Sequence, residues 1–156
     1  MSTGSKHELL LRDFGKRVGI DNLALNGRND VRIVFNGQAV DIRYDPEKDM
    51  ILIASAIAGI DAGDNGFLLA NVLELNLAHA LTGNGTVGLD RRDNKLHYVN
   101  YIAIGGLESV AFCNLMAASL RTIGLWVKAV KARTFFEQPV SFGQSPASDP
   151  ISMRRV

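Results

Sequence analysis

The segment FLLANVLELNLAHAL, from Phe67 to Leu81, is apolar almost all the way round when it is read at helical period. Its polar interruptions are Asn71, Glu74, Asn76 and His79. A chain of 156 residues can bury one side of such a helix against its own core, whereas covering the other side requires a second molecule. We therefore expect a homodimer with a twofold interface on this helix.

A short strand after this helix is expected to contribute to the same interface. The strand spans Thr86 to Leu89 and follows a glycine-rich break in the helical pattern. The residues expected in the dimer interface are Leu69, Leu73, Leu77, Val87 and Leu89.

Composition excludes several classes of protein. Hydrophobic residues make up 47% of the chain and charged residues 21%, as in an ordinary folded domain. The net charge of +1 provides no basic field for nucleic acid, so we expect no nucleic-acid partner. The run Phe67–Leu81 is too short to span a bilayer and carries two polar, ionisable side chains, so we expect no membrane partner. A single cysteine and an N-terminus unlike a secretory signal favour the cytoplasm.

Apolar and polar residues alternate in the first half of the chain, which predicts three antiparallel strands after an initial helix. The helix spans Ser5 to Val18. Val31–Phe35 and Val40–Tyr44 alternate on either side of Asn36-Gly37, a strong hairpin signal because both positions accept positive φ. Met50–Ala54 is apolar on both sides, as expected for a central or doubly covered strand.

The second half predicts another hairpin and a long helix. The strands Thr86–Leu89 and Leu96–Ile102 flank a charged turn, and the helix runs from Gly106 to about Lys131. The predicted fold class is therefore α+β, in the order helix, three antiparallel strands, helix, two strands, helix. We assign residues 1–133 to one domain and expect Thr134–Val156 to be a flexible tail that is dispensable for folding.

No residue pattern indicates catalysis or a cofactor. Gly83-Asn84-Gly85 follows a helix and precedes a strand, which is the reverse of the order in a phosphate-binding loop. His7, His79 and His97 lie on three different elements without a partner at metal-ligand spacing. Cys113 is interpreted as a buried core thiol. We expect no catalytic residue, no metal and no cofactor.

Four blocks of sequence, in a fixed order, carry a resemblance to a known family. They are LLLRDFGKRVGI, VRIVFNGQAVDIRYDPEKDMILIASAIAGI, GFLLANVLELNLAHALTGNGTVGLDRRDNKLHYV and LESVAFCNLMAASLRTIGLWVKAV. The closest matches to the family pattern are Leu68-Leu69-Ala70-Asn71 and Gly85-Thr86-Val87-Gly88-Leu89-Asp90. From about Leu9 to Ala129 the chain resembles the class I chaperones of bacterial type III secretion, the Tir-chaperone-like (CesT-like) family.

This resemblance implies a homodimeric secretion-chaperone fold and a function without chemistry. Members of the family hold the N-terminal region of a secreted bacterial effector protein in an extended form, soluble and ready for export, and consume no ATP. One departure concerns charge: members are usually acidic, whereas this chain has 17 basic and 16 acidic residues and a pI near 7.9. A negative surface is therefore not expected to drive recognition here.

The effector-binding surface is expected on the first helix and the first three strands, because this half holds more apolar side chains than its core needs. The candidates are Leu10, Phe14, Val31, Ile33, Phe35, Val40, Ile42 and Tyr44. The competing interpretation is packing of the helix on the sheet, and we expect it to account for about half of these residues. Phenylalanines of the tail either pack back on the dimer or occupy this surface when no effector is bound.

Two other functions are compatible with this sequence. A small dimeric α+β domain that binds a ligand or acts as a regulator needs an enclosed pocket with convergent polar groups, for which the sequence offers no obvious candidates. An enzyme would need a site assembled from scattered residues, for example around His97, Tyr98 and Tyr101. Alternation along a strand places His97 and Tyr98 on opposite faces, so no such cluster is predicted.

Overall fold

The computed structural model describes residues 4–60, 65–78 and 82–132. The elements follow one another in the predicted α+β order. The helices are α1 Lys6–Val18, α2 Asn65–Ala78 and α3 Ser109–Ala132, and the strands are β1 Asp30–Phe35, β2 Gln38–Asp45, β3 Met50–Gly59, β4 Thr86–Asp90 and β5 Lys95–Ala103. The predicted fold class is thus confirmed. The predicted tail Thr134–Val156, its boundary at residue 133, and His79 lie outside the described residues.

The five strands form one antiparallel sheet in the order β1-β2-β3-β5-β4. Asn36 and Gly37 have φ angles of 50° and 77°, as the predicted two-residue hairpin requires. This hairpin pairs Phe35 with Gln38 and continues to Asp30 opposite Arg43. Since β3 and β5 are neighbours at the centre, β1 and β4 form the two edges of the sheet.

One face of the sheet carries the core, which α1 and α3 cover. The fully buried side chains include Leu11 and Phe14 from α1, Phe112, Met116, Ile123 and Trp126 from α3, and Ile42, Ile51, Ile53, Leu96 and Tyr98 from the strands. Cys113 is buried among them, as predicted. By length and composition α3 is apolar enough to cross a membrane, but the same composition is expected of a helix that forms the core of a globular domain.

The opposite face of the sheet is uncovered by the elements that the structure describes. On β3, Ile51 and Ile53 point into the core, whereas Leu52 and Ala54 on the other face are half-exposed. β3 is therefore the central strand that its sequence predicted, with only one face fully buried. The sequence did not distinguish a central strand from a strand covered on both faces, because a short apolar run is compatible with either.

Gly85 lies where the ring of Tyr98 passes against the main chain. A Cβ at Gly85 would lie 2.5 Å from both Cζ and the hydroxyl oxygen of Tyr98. Tyr98 is 1% exposed and its hydroxyl donates to the carbonyl of Thr82 at 3.3 Å, so the ring has little freedom to move. This contact is not visible in the sequence, where Gly85 belongs to the glycine-rich break after the helix and to the block Gly85–Asp90 that resembles the family pattern.

We expect Gly85→Ala to lower the free energy of unfolding by about 2 kcal/mol, because the new methyl group overpacks the site. Gly27→Ala is the matched control, since a Cβ there would meet no heavy atom within 4 Å. Chemical denaturation of both variants tests this expectation, and equal midpoints for Gly85→Ala and the unmodified protein would contradict it.

Candidate functional site

The eight predicted effector-binding residues fall into two groups. Leu10, Phe14, Ile33, Val40 and Ile42 are buried in the core. Val31, Phe35 and Tyr44 are half-exposed and pack against the edge of that core. In this conformation only the second group presents surface to a guest. Packing of helix on sheet thus accounts for slightly more of the set than the half we expected, and guest contact remains a prediction.

The outer edge of β1 lies beside these residues and has no neighbouring strand among the described elements. In an antiparallel hairpin, alternate residues turn their N–H and C=O groups away from the partner strand. Asp30 is one of these outward residues: its carbonyl accepts from the Asn26 N–H at 2.8 Å, and its N–H donates to the Asn26 side chain at 3.2 Å. By alternation, Arg32 and Val34 also face outward. Among the described residues nothing bonds to their main-chain groups.

The two sides of the β1 edge differ in chemistry. Towards the helices, half-exposed Val31 and Phe35 border the core. On the open face, Arg32 donates to both carboxylate oxygens of Asp41, at 2.6 and 2.9 Å, and this pairing raises the pKa of Arg32. Val34 beside them is 69% exposed. The edge therefore offers an apolar side and a mixed side to any strand that adds to it.

Tyr44 is held in place at the end of this apolar side. Its ring stacks on His7 at the start of α1, with centroids 3.9 Å apart and planes at 19°. Its hydroxyl donates to Asp49 at 3.1 Å. Partial burial and, secondly, the Asp49 carboxylate raise the pKa of Tyr44. These contacts connect the N-terminus of α1 to the turn between β2 and β3. Tyr44 is therefore held in one position at the end of the apolar side of the β1 edge.

A second apolar surface lies on α2. Val72 and Leu75 are buried in the core, whereas Leu73 is 70% exposed and Leu77 is 76% exposed. Leu69, half-exposed, lies one turn before Leu73 on the same side of the helix. We call Leu69, Leu73 and Leu77 the leucine stripe.

The two predicted interface residues on β4 are placed differently from the leucine stripe. Val87 is 3% exposed in the single chain, so its side chain is already covered by its own protomer. Leu89 is half-exposed and remains available. Val87 and Leu89 share one face of the strand, and the core covers only the first of them fully.

The turn between β4 and β5 brings together Asp90, Asp93 and His97, whose ligand atoms all lie within 4.8 Å of one another. Arg92 donates to both carboxylate oxygens of Asp90, which lowers the pKa of Asp90 to about 2. His97 Nε2 lies 3.0 Å from Asp93. A cation would therefore have to compete with Arg92 for one of its three ligands. Sequence spacing did not predict this cluster, because Asp90 ends β4, Asp93 lies in the turn and His97 lies on β5, and the hairpin brings the three together.

The sequence model of the Tir chaperone protein (CesT) family matches residues 9–126 of the chain. A comparison with curated protein sequences gives no significant match.

Solved structures show the same fold. A chain in the crystal structure of the ExsC–ExsE complex has a TM-score of 0.67 at 22% identity, covering 82% of this chain and 96% of that one. The type III secretion chaperone SycH of Yersinia pestis, in complex with a fragment of YscM2, has a TM-score of 0.59 at 17% identity, covering 77% and 98%. YbjN from E. coli, described as a candidate transcription regulator, has a TM-score of 0.59 at 16% identity, covering 79% and 90%. At these identities the likeness is one of fold.

Proposed function

Because the chain belongs to the Tir chaperone protein (CesT) family, we propose that it is a homodimeric chaperone of the bacterial cytoplasm that binds the N-terminal region of a type III secretion effector in extended form. Family membership confirms the resemblance that the four sequence blocks indicated. The proposed function is to keep the effector soluble and competent for export. It requires binding alone, with no catalytic residue and no cofactor.

The observation that carries this proposal is the free edge of β1. An extended segment pairs with the outward N–H and C=O groups of Arg32 and Val34 as an additional strand. Asn26 occupies the next outward position, at Asp30, so the added strand ends there. Main-chain pairing of this kind holds a guest extended and tolerates many guest sequences.

The two sides of the edge specify the guest further. Alternate side chains of an added strand point to opposite faces. One set lies over half-exposed Val31 and Phe35 and is expected to be apolar. The other set lies beside Val34 and the Arg32–Asp41 ion pair, where polar side chains are tolerated. We therefore expect the bound segment to alternate between apolar and polar residues.

Two structural neighbours support a protein guest. ExsC was crystallised with ExsE, and the secretion chaperone SycH with a fragment of YscM2. In both cases the structure related to this chain by fold belongs to a complex with another protein.

Val34→Pro tests the proposed strand addition directly. Proline removes the outward N–H of Val34 and places its ring in the path of the guest, whereas the bonds from β1 to β2 come from neighbouring residues. We expect at least a tenfold loss of affinity, since a main-chain hydrogen bond contributes about 1 kcal/mol and the ring adds a steric penalty. The measurement is calorimetric titration with the N-terminal fragment of the effector co-purified with the chain.

Val34→Ala is the matched control because it shortens the same side chain and keeps the N–H. It should bind the fragment within about threefold of the unmodified protein, since the exposed side chain contributes little apolar contact. Equal affinities for Val34→Pro and Val34→Ala would contradict strand addition at β1.

A ligand-binding or regulatory domain is the second candidate, and the likeness to YbjN favours it. Such a domain would bind a small molecule or a regulatory target, and that binding would not depend on the N–H of Val34. Binding that is insensitive to Val34→Pro therefore separates the two functions.

A further inference from the structure

Asn76 joins α2 to the edge strand β4 through two hydrogen bonds. Its side-chain Nδ2 donates to the carbonyl of Val87 at 2.7 Å, and the Val87 N–H donates to Asn76 Oδ1 at 2.9 Å. A side-chain amide has the same donor and acceptor as a peptide group, so Asn76 replaces a neighbouring strand at this position. The outward groups of Val87 are thereby occupied, and the β4 edge is closed there to strand addition.

Apolar packing alone does not fix the orientation of α2 about its own axis, so a specific polar contact is needed. At 100° per residue, the side chains follow one another around the helix in the order Leu75, Leu68, Val72, Asn76, Leu69, Leu73 and Leu77. Over Leu68–Leu77 this apolar arc is interrupted only by Asn76. A roll of about 100° about the helix axis would bring exposed Leu73 to the position of buried Val72, and leucine side chains would again face the core. Hydrophobic burial alone therefore does not select one rotation.

We propose that Asn76 is a positioning residue: its two bonds to Val87 fix the rotation of α2 and so hold the leucine stripe outward. Any other rotation breaks both bonds and leaves the partly buried amide and the Val87 main chain without partners, which costs free energy. Single buried asparagines select one register in coiled coils by the same physics. The role of the stripe in dimerisation rests on the proposed function, but the rotation does not.

Thiol labelling measures the rotation directly. In a Val72→Cys variant the new thiol is buried, as Val72 is 3% exposed, and we expect slow reaction with a maleimide. Adding Asn76→Ala should raise the labelling rate at least tenfold, because the helix then samples rotations that expose position 72. Adding Glu74→Ala is the matched control, since it removes a polar, exposed side chain from the same helix, and it should leave the rate unchanged. The native Cys113 is buried and provides the blank.

Amide exchange of Val87 checks the hydrogen bonds themselves. Its protection should fall at least tenfold in Asn76→Ala, whereas the neighbouring Gly88 N–H, which faces β5, should keep its protection. Unchanged Val87 exchange would overturn the bonds, and unchanged labelling of position 72 would overturn the control of rotation.

Should Asn76→Ala fail to fold, Asn76→Asp keeps the acceptor for Val87 and removes the donor, and an intermediate labelling rate is then expected. An Asn76→Asp rate equal to that of Val72→Cys alone would overturn the proposal. Sedimentation of the unmodified protein tests the proposed dimer independently of the labelling rate and of the Val87 amide exchange.

Discussion

Leu73→Asp is expected to convert the proposed dimer into a folded monomer. Leu73 is 70% exposed in the single chain, so the new carboxylate is well solvated there and the fold keeps its stability. In the proposed dimer the same carboxylate is buried without a partner, at a cost of several kcal/mol for each subunit. Twofold symmetry places two of them in one interface. Sedimentation velocity at micromolar concentration measures the result, and Leu77→Asp should behave in the same way.

Leu125→Asp is the matched control for this experiment. Leu125 is 58% exposed on α3, so the substitution and the starting exposure are similar, but the position lies outside the leucine stripe. Leu125→Asp should remain dimeric with an unchanged melting temperature. A stable monomer for the unmodified protein, or a dimer that survives Leu73→Asp, would contradict an interface on α2.

The apolar helix α2 could be predicted from the sequence because its excess of leucine is a property of one local segment. The apolar arc around α2 is wider than the surface that one face of a small sheet can cover. The orientation of that arc could not be predicted, because it depends on the bonds between Asn76 and a strand eleven residues away. In the sequence Asn76 is only a polar interruption.

The proposed effector surface was likewise predictable from the sequence only in part. Strand alternation correctly placed Ile33, Val40 and Ile42 on one face of the hairpin, and that face is the core. The free edge of β1 depends on the strand order, in which β5 inserts beside β3 and leaves β1 and β4 outside. This order follows from how the chain crosses between distant segments, so local alternation does not predict it. The side chains of Arg32 and Val34 do not indicate that the main-chain N–H and C=O groups of these residues lie at a free edge.

Ile42→Glu is expected to unfold the protein. Ile42 is fully buried at the centre of β2, and a glutamate there removes apolar burial and introduces an unpaired charge in the core. The combined cost of about 5 kcal/mol or more is comparable with the whole stability of a typical domain. Loss of the cooperative thermal transition measured by circular dichroism would show this result.

Ala39→Glu provides the comparison that separates core from guest surface. Ala39 lies on the same strand with its side chain exposed on the open face, so its glutamate stays in water and the melting temperature should change little. If Ile42→Glu instead gave a folded protein that no longer bound effector, the side chain would be a guest contact as the sequence first suggested. The guest surface would then extend beneath α1, and the helix would have to move for the effector to bind. Unfolding of Ile42→Glu with Ala39→Glu intact assigns position 42 to the core and leaves recognition to the edge of β1.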